Sequence, residues 1–258
     1  LLDFVKKGYW MVLPYRLVKD LPHLQLSPLG VIPQRERRPR LIVDYTFNGV
    51  NEETVKMMPN EAMQFGRALE RVLYSIHHAN PHFGPVYVSK TDLADGFYRI
   101  PLTSSGIPNL GVILPRFPNE EQLVAFPLVL PMGWVESPPW FSVVTETGAD
   151  LANARLLRPL NTVPAHRLED DCNTLPSSSA SKESETLRTP KSLLAPVAVP
   201  STPDPALRDL RRPARILAKF DIYVDDYLGA VQGDSHRRSA VRRVLLHSID
   251  RLFRPLSP

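Results

Sequence analysis

The chain has 258 residues, of which 43% are hydrophobic and 22% charged, the ordinary balance of a soluble globular protein and enough for one large domain or two small ones. A single cysteine, Cys172, excludes an internal disulfide framework and any cysteine-based zinc cluster. Net charge is +4, the sequence pI is near 9.2 and arginine is unevenly placed, which favours an anionic partner without naming one.

No apolar run is long enough for a membrane span, and no signal peptide opens the chain. With one cysteine this points to an intracellular protein of the cytoplasm or nucleus, neither secreted nor membrane-bound. The chain begins at Leu1 rather than Met and ends on Pro-Leu-Ser-Pro, so it reads as a piece of something longer.

The first stretch, Leu1 to Leu26, mixes a short helix around Leu2 and Val5 with the run Tyr9 to Leu13, and its function is not legible. Pro28 to Pro33 and Arg40 to Tyr45 predict two strands joined by Gln34-Arg35-Glu36-Arg37-Arg38-Pro39, a tip that is either solvated or in contact with phosphate. Asn60 is a good N-cap, and Phe65, Leu69, Val72 and Ile76 follow a helical period up to His77-His78. Adjacent histidines cannot share a helix face, so they read as the helix end before they read as metal ligands.

Val86 to Asp92 predicts a strand that delivers Asp92 beside Leu93-Ala94-Asp95-Gly96-Phe97. Gln122 to Leu130 predicts another, running into Pro131-Met132-Gly133-Trp134. Ser137 as N-cap with Pro138 behind it opens a helix with Phe141, Val144, Gly148 and Leu151 on one face. From about Arg155 to Pro213 proline, serine and threonine dominate, which predicts a disordered insertion with a short helix near Pro205 to Arg211.

Phe220, Ile222 and Val224 alternate as one strand face before Asp225-Asp226, and Tyr227 to Val231 can return as the second strand. Two adjacent carboxylates at a hairpin tip are either a surface turn or part of a divalent-metal site, and the latter needs a further carboxylate from elsewhere. Asp92 is the leading candidate. Ser235 to Phe253 predicts a helix with Val241, Leu245, Ile249 and Leu252 inward and Arg237, Arg238, Arg242 and Arg243 mostly outward.

Four stretches then stand in the order of one family: Arg40-Leu-Ile-Val-Asp-Tyr with Asn48, Asp92-Leu-Ala-Asp-Gly-Phe-Tyr-Arg-Ile, Leu130-Pro-Met-Gly-Trp with Ser137-Pro138 and Phe141, and Tyr223-Val-Asp-Asp. They resemble the successive motifs of reverse transcriptases, particularly those of retroviruses and LTR retrotransposons. The resemblance implies an α+β right-hand polymerase, with an antiparallel palm sheet backed by helices and interleaved fingers. Fingers and lead-in would occupy residues 1–85 with an excursion near 103–125, and palm residues 86–154 and 214–258. It implies a catalytic set of Asp92, Asp225 and Asp226, which with the carbonyl of Leu93 would hold two Mg²⁺ ions, or Mn²⁺.

Arg40, Phe97, Met132, Gly133 and Tyr223 match the family's nucleotide-binding positions. Arg40 would pack on the nucleotide and touch its phosphates, and Phe97 would exclude a 2′-hydroxyl. Met132 stands where retroviral enzymes often carry glutamine, and no lysine occupies the Arg35 to Arg38 turn. The implied partners are an RNA or DNA template with its primer, dNTPs, and the thumb and RNase H of a retroelement polyprotein. No sequence remains for a thumb after the arginine-rich helix, so the alternative reading is an inactive, truncated remnant that at most binds nucleic acid.

Overall fold

The computed structural model describes residues 1–35, 37–57, 63, 65–169 and 215–253. Asn60, Cys172, the expected helix at Pro205 to Arg211 and most of the proline-rich stretch therefore lie outside the described residues. In chain order come α1 (Leu2–Lys6), β1 (Trp10–Pro14), α2 (Tyr15–Val18), β2 (Leu26–Gln34), β3 (Arg37–Val43), α3 (Val50–Glu53), α4 (Ala68–His77) and β4 (Val86–Asp92). They are followed by β5 (Gly111–Ile113), β6 (Leu123–Pro127), α5 (Ser137–Leu156), β7 (Ala218–Tyr223), β8 (Asp226–Gln232) and α6 (Ser235–Leu252).

Among the described residues the strands form two sheets, so the fold is α+β. The larger has the order β1-β6-β5-β2-β3, antiparallel except where β2 runs parallel to β5. Residues 103–125 contribute β5 and open β6 within it, beside the N-terminal strands. The smaller is antiparallel, with β8 between β4 and β7. No described helix is long and apolar enough to cross a membrane.

The smaller sheet positions the site, and its packing is set by what β7 and β8 can bury. Phe220, Ile222, Tyr227 and Val231 pack with Val241, Val244 and Leu245 of α6 and Ala149 and Ala152 of α5. A Cβ at Gly148 of α5 would collide with the Tyr227 hydroxyl, which donates to the Thr145 carbonyl at 3.1 Å. That close approach decides the buried face of α5, which carries Phe141, Ser142, Thr145, Gly148, Ala149 and Ala152. Leu151, expected inward, is 37% exposed, because the seam has room only for small side chains.

Three further expectations are corrected. On α4 the buried residues are Ala68 and Val72, while Leu69 is 58% exposed; the helix rests on β7 and β8 through one narrow face. α4 accordingly belongs with the smaller sheet, although it falls within the N-terminal stretch 1–85. Helix α5 starts one residue earlier than read, with Glu136 at the N-cap, because the Ser137 hydroxyl is spent on the Pro131 carbonyl at 2.7 Å.

The disordered insertion expected from about Arg155 does not include the residues up to 169. Residues 157–169 pack back on the body: Val163 is buried among the α5 and α6 side chains, and His166 Nε2 lies 2.9 Å from Asp250 Oδ2. Arg243 of α6 pairs with Glu169. A few apolar and charged anchors with distant partners suffice to order a segment whose composition alone predicts disorder.

Candidate functional site

The hairpin of β7 and β8 turns in two residues, because Tyr223 is the cross-strand partner of Asp226. Val224 and Asp225 form the turn, one position earlier than the sequence suggested, and Asp226 opens β8. Val224 sits at φ 58°, a left-handed conformation that costs a β-branched residue on the order of 1–3 kcal/mol. Its side chain is held against the cluster of Leu93, Phe141 and Phe253, so packing fixes the strained turn that carries Asp225.

On the neighbouring strand Asp92 is the direct partner of Asp226. The Leu93 amide donates to the Asp225 carbonyl at 3.1 Å, which ties the end of β4 to the turn. Register and turn thus bring Asp92, Asp225 and Asp226 to one end of the sheet, with a ligand oxygen from each within 4.8 Å of the others. Asp92 is exposed and the other two are partly buried. The side chain of Leu93 is buried, and its carbonyl accepts from the Gly96 amide at 3.1 Å.

Gathering three carboxylates raises their mutual repulsion, which water or a nearby cation relieves. Lys90 lies two residues before Asp92 and therefore on the same face of β4. Its Nζ is 2.6 Å from Asp226 Oδ2. The hydrogen bond to Asp226, with the charges of Asp92 and Asp225 behind it, holds the ammonium above the ordinary lysine value. Asp226 Oδ1 is buried without a hydrogen-bond partner. Oxygen donors from three convergent carboxylates, one of them orphaned, fit a hard divalent cation such as Mg²⁺ or Mn²⁺.

The expected nucleotide-binding residues fall in two places. Arg40, Met132 and Gly133 line a cavity of about 280 Å³ beneath the β2 and β3 hairpin, with Trp10, Val43 and Tyr98. Arg40 Nη2 reaches Met132 Sδ at 3.6 Å. Gly133 is required there: its φ is +98°, and a Cβ would stand 2.9 Å from the Val43 carbonyl. Phe97 instead stacks on Phe141 with ring centroids 4.5 Å apart, and the ring lining the cavity is its neighbour Tyr98. Tyr223 is half exposed and closes β7 just before the turn. Of the arginines in the tip, Arg35 alone has a described side chain, and it is exposed.

Sequence reasoning missed the residues that hold these pieces in place. Asn51 donates from Nδ2 to the Gly133 carbonyl at 3.1 Å and accepts the Val135 amide on Oδ1 at 2.9 Å. Trp134 Nε1 donates to Thr54 Oγ1 at 3.0 Å, and the buried Glu136 accepts the Met57 amide at 3.1 Å. Asp95, three residues past Asp92, accepts from Lys7 at 2.6 Å and from the Tyr9 hydroxyl at 3.2 Å. The Lys7 hydrogen bond holds its carboxyl below the ordinary range. A second asparagine three residues after Asn48 was the available signal for Asn51; Asp95 had none, since its partners are 88 and 86 positions away.

Neither the protein-family models nor the curated proteins searched contain a match to this chain.

Proposed function

We propose that the chain is the fingers and palm core of an RNA-directed DNA polymerase of the LTR-retrotransposon and retroviral kind. In this reading it is a nucleotidyltransferase that extends a primer on an RNA or DNA template with dNTPs. The observation that carries the reading is the convergence of Asp92 with Asp225 and Asp226 across 133 residues of chain, their ligand oxygens within 4.8 Å. Motif order in the sequence singled out those same carboxylates as one set.

The reaction joins the primer 3′-oxygen to the α-phosphorus of the dNTP and releases pyrophosphate. Two Mg²⁺ or Mn²⁺ ions, when bound, would supply activation of the hydroxyl and neutralisation of the triphosphate and leaving group. Asp92, Asp225 and Asp226 would hold them, and the cross-strand pairing of Asp92 with Asp226 fixes the separation of two of these ligands before any substrate arrives. Arg40 offers a guanidinium to phosphate oxygens. Catalysis of this type is positioning and charge neutralisation, and no covalent enzyme intermediate is required. The thumb and RNase H of a longer polyprotein are partners in this reading.

The test is single-nucleotide addition to a labelled primer on an RNA template, with the chain in excess, at low salt, with Mg²⁺ or Mn²⁺. Few phosphates are neutralised by fingers and palm alone, so extension is expected to be weak and to fall steeply as salt rises. Chelation of the metal, or Asp225→Asn, is expected to abolish it. No extension by the unmodified chain at saturating primer and template would overturn the proposal.

A further inference from the structure

Of the two oxygens of Asp226, Oδ1 is buried and Oδ2 is covered by the Lys90 ammonium at 2.6 Å. A cation approaching from solvent therefore meets the lysine where it would meet the carboxylate. The lysine is built to leave. Its side chain is 62% exposed, and β4 is an edge strand of its sheet, so a described strand, β8, flanks the stem on one side only. An ammonium released into water also regains rotamer freedom, which favours the exchange.

We propose that Lys90 is the resident counter-ion of the acidic cluster, and that a divalent cation enters by displacing its ammonium from Asp226. The inference rests on the metal reading given above. One positive charge against three carboxylates lowers their repulsion and keeps the apo site folded, and the same charge weakens binding of an incoming ion. Occupancy then responds to ion concentration instead of being permanent. Lys90 is a positioning residue in this account, acting through Asp226.

The test is titration of the full chain with Mn²⁺ alone, free ion being followed by electron paramagnetic resonance, for wild type, Lys90→Met, Lys90→Gln and Lys90→Arg. Removing the competing charge is expected to tighten Mn²⁺ binding by about tenfold in both neutral variants. Lys90→Arg, which keeps the charge, is expected to stay near wild type. A lysine that served only the fold would leave affinity unchanged or weaken it when replaced. Unchanged or weaker binding in both neutral variants overturns this inference alone; no Mn²⁺ bound by any of the four chains overturns the metal reading and the inference with it.

Discussion

The three-stranded sheet carries acidic charge in two places, and treats it in opposite ways. Behind β7, Asp221 is only 5% exposed and takes a bidentate pair of hydrogen bonds from Arg71 of α4, with Glu146 of α5 alongside. At the end of β4 and β8, Asp92, Asp225 and Asp226 lie beside the exposed Lys90, which pairs with Asp226, and a buried oxygen of Asp226 has no partner. A guanidinium fork fits a carboxylate and fixes it, whereas a solvated ammonium can be exchanged. The Asp221 carboxylate is satisfied, although Glu146 Oε1 beside it is buried without a hydrogen bond; the three clustered carboxylates have only an exposed ammonium to compensate them.

Cutting the rear pair is expected to have the largest effect. Arg71→Met strands a buried carboxylate, and since Arg71 is partly exposed the loss is expected at the low end of the range for broken buried pairs, about 3 kcal/mol. Denaturant unfolding of the two chains measures it, and a loss under 1 kcal/mol would mean that Asp221 is solvated after all.

The same substitution is expected to act differently at the two places. Asp221→Asn gives up a charged bond to Arg71 and is expected to cost about 1–2 kcal/mol. Asp225→Asn removes one of three mutually repelling charges, so in metal-free buffer it is expected to leave stability unchanged or raise it. Equal destabilisation by both would erase the distinction between the two regions.

The smallest effect concerns Glu146. Burial, offset only in part by the Arg71 charge 3.8 Å away and reinforced by Asp221 and Asp150, raises its carboxyl above the ordinary glutamate value. A raised folded value means stability that is full below the unfolded value, about 4.3, and lost as pH rises through the folded one. Glu146→Gln mimics the neutral form. It is therefore expected to match wild type near pH 4 and to be more stable at pH 8, by up to about 1 kcal/mol after allowance for partial exposure. Thermal unfolding at the two pH values reads this, and a gain at pH 4 that vanished at pH 8 would reverse the sign.

The two regions also differ in how much of them a reader of the sequence could see. Asp92, Asp225 and Asp226 stand at strand ends beside turn residues, where local pattern and motif order speak directly. Asp221 reads only as a polar position inside an apolar strand, because Arg71 is 150 residues away and nothing local announces it. Asn153 is equally silent, although its amide pairs with both the N–H and the C=O of Phe220 at 2.8 Å and satisfies the free edge of β7. Lys90 was within reach of the pattern, since a residue two before Asp92 must share its face. The larger sheet was legible as strands but not in its order: β1 lies in a run whose function could not be read, and β2 pairs in parallel with the short β5. Helix faces misled where close packing selected small residues over large apolar ones, as at Leu151 and Leu69.

Ferrous ion with ascorbate tests directly whether the carboxylates of Asp92, Asp225 and Asp226 bind a divalent cation. Iron at the cluster generates radicals that cut the nearest backbone, so cleavage is expected at the end of β4 near Asp92 and at the turn around Val224 and Asp225. Excess Mg²⁺ should suppress both cuts, and Asp225→Asn should remove them. Cleavage confined to another position, such as the adjacent histidines at the end of α4, or no localised cleavage at all, would contradict the claim.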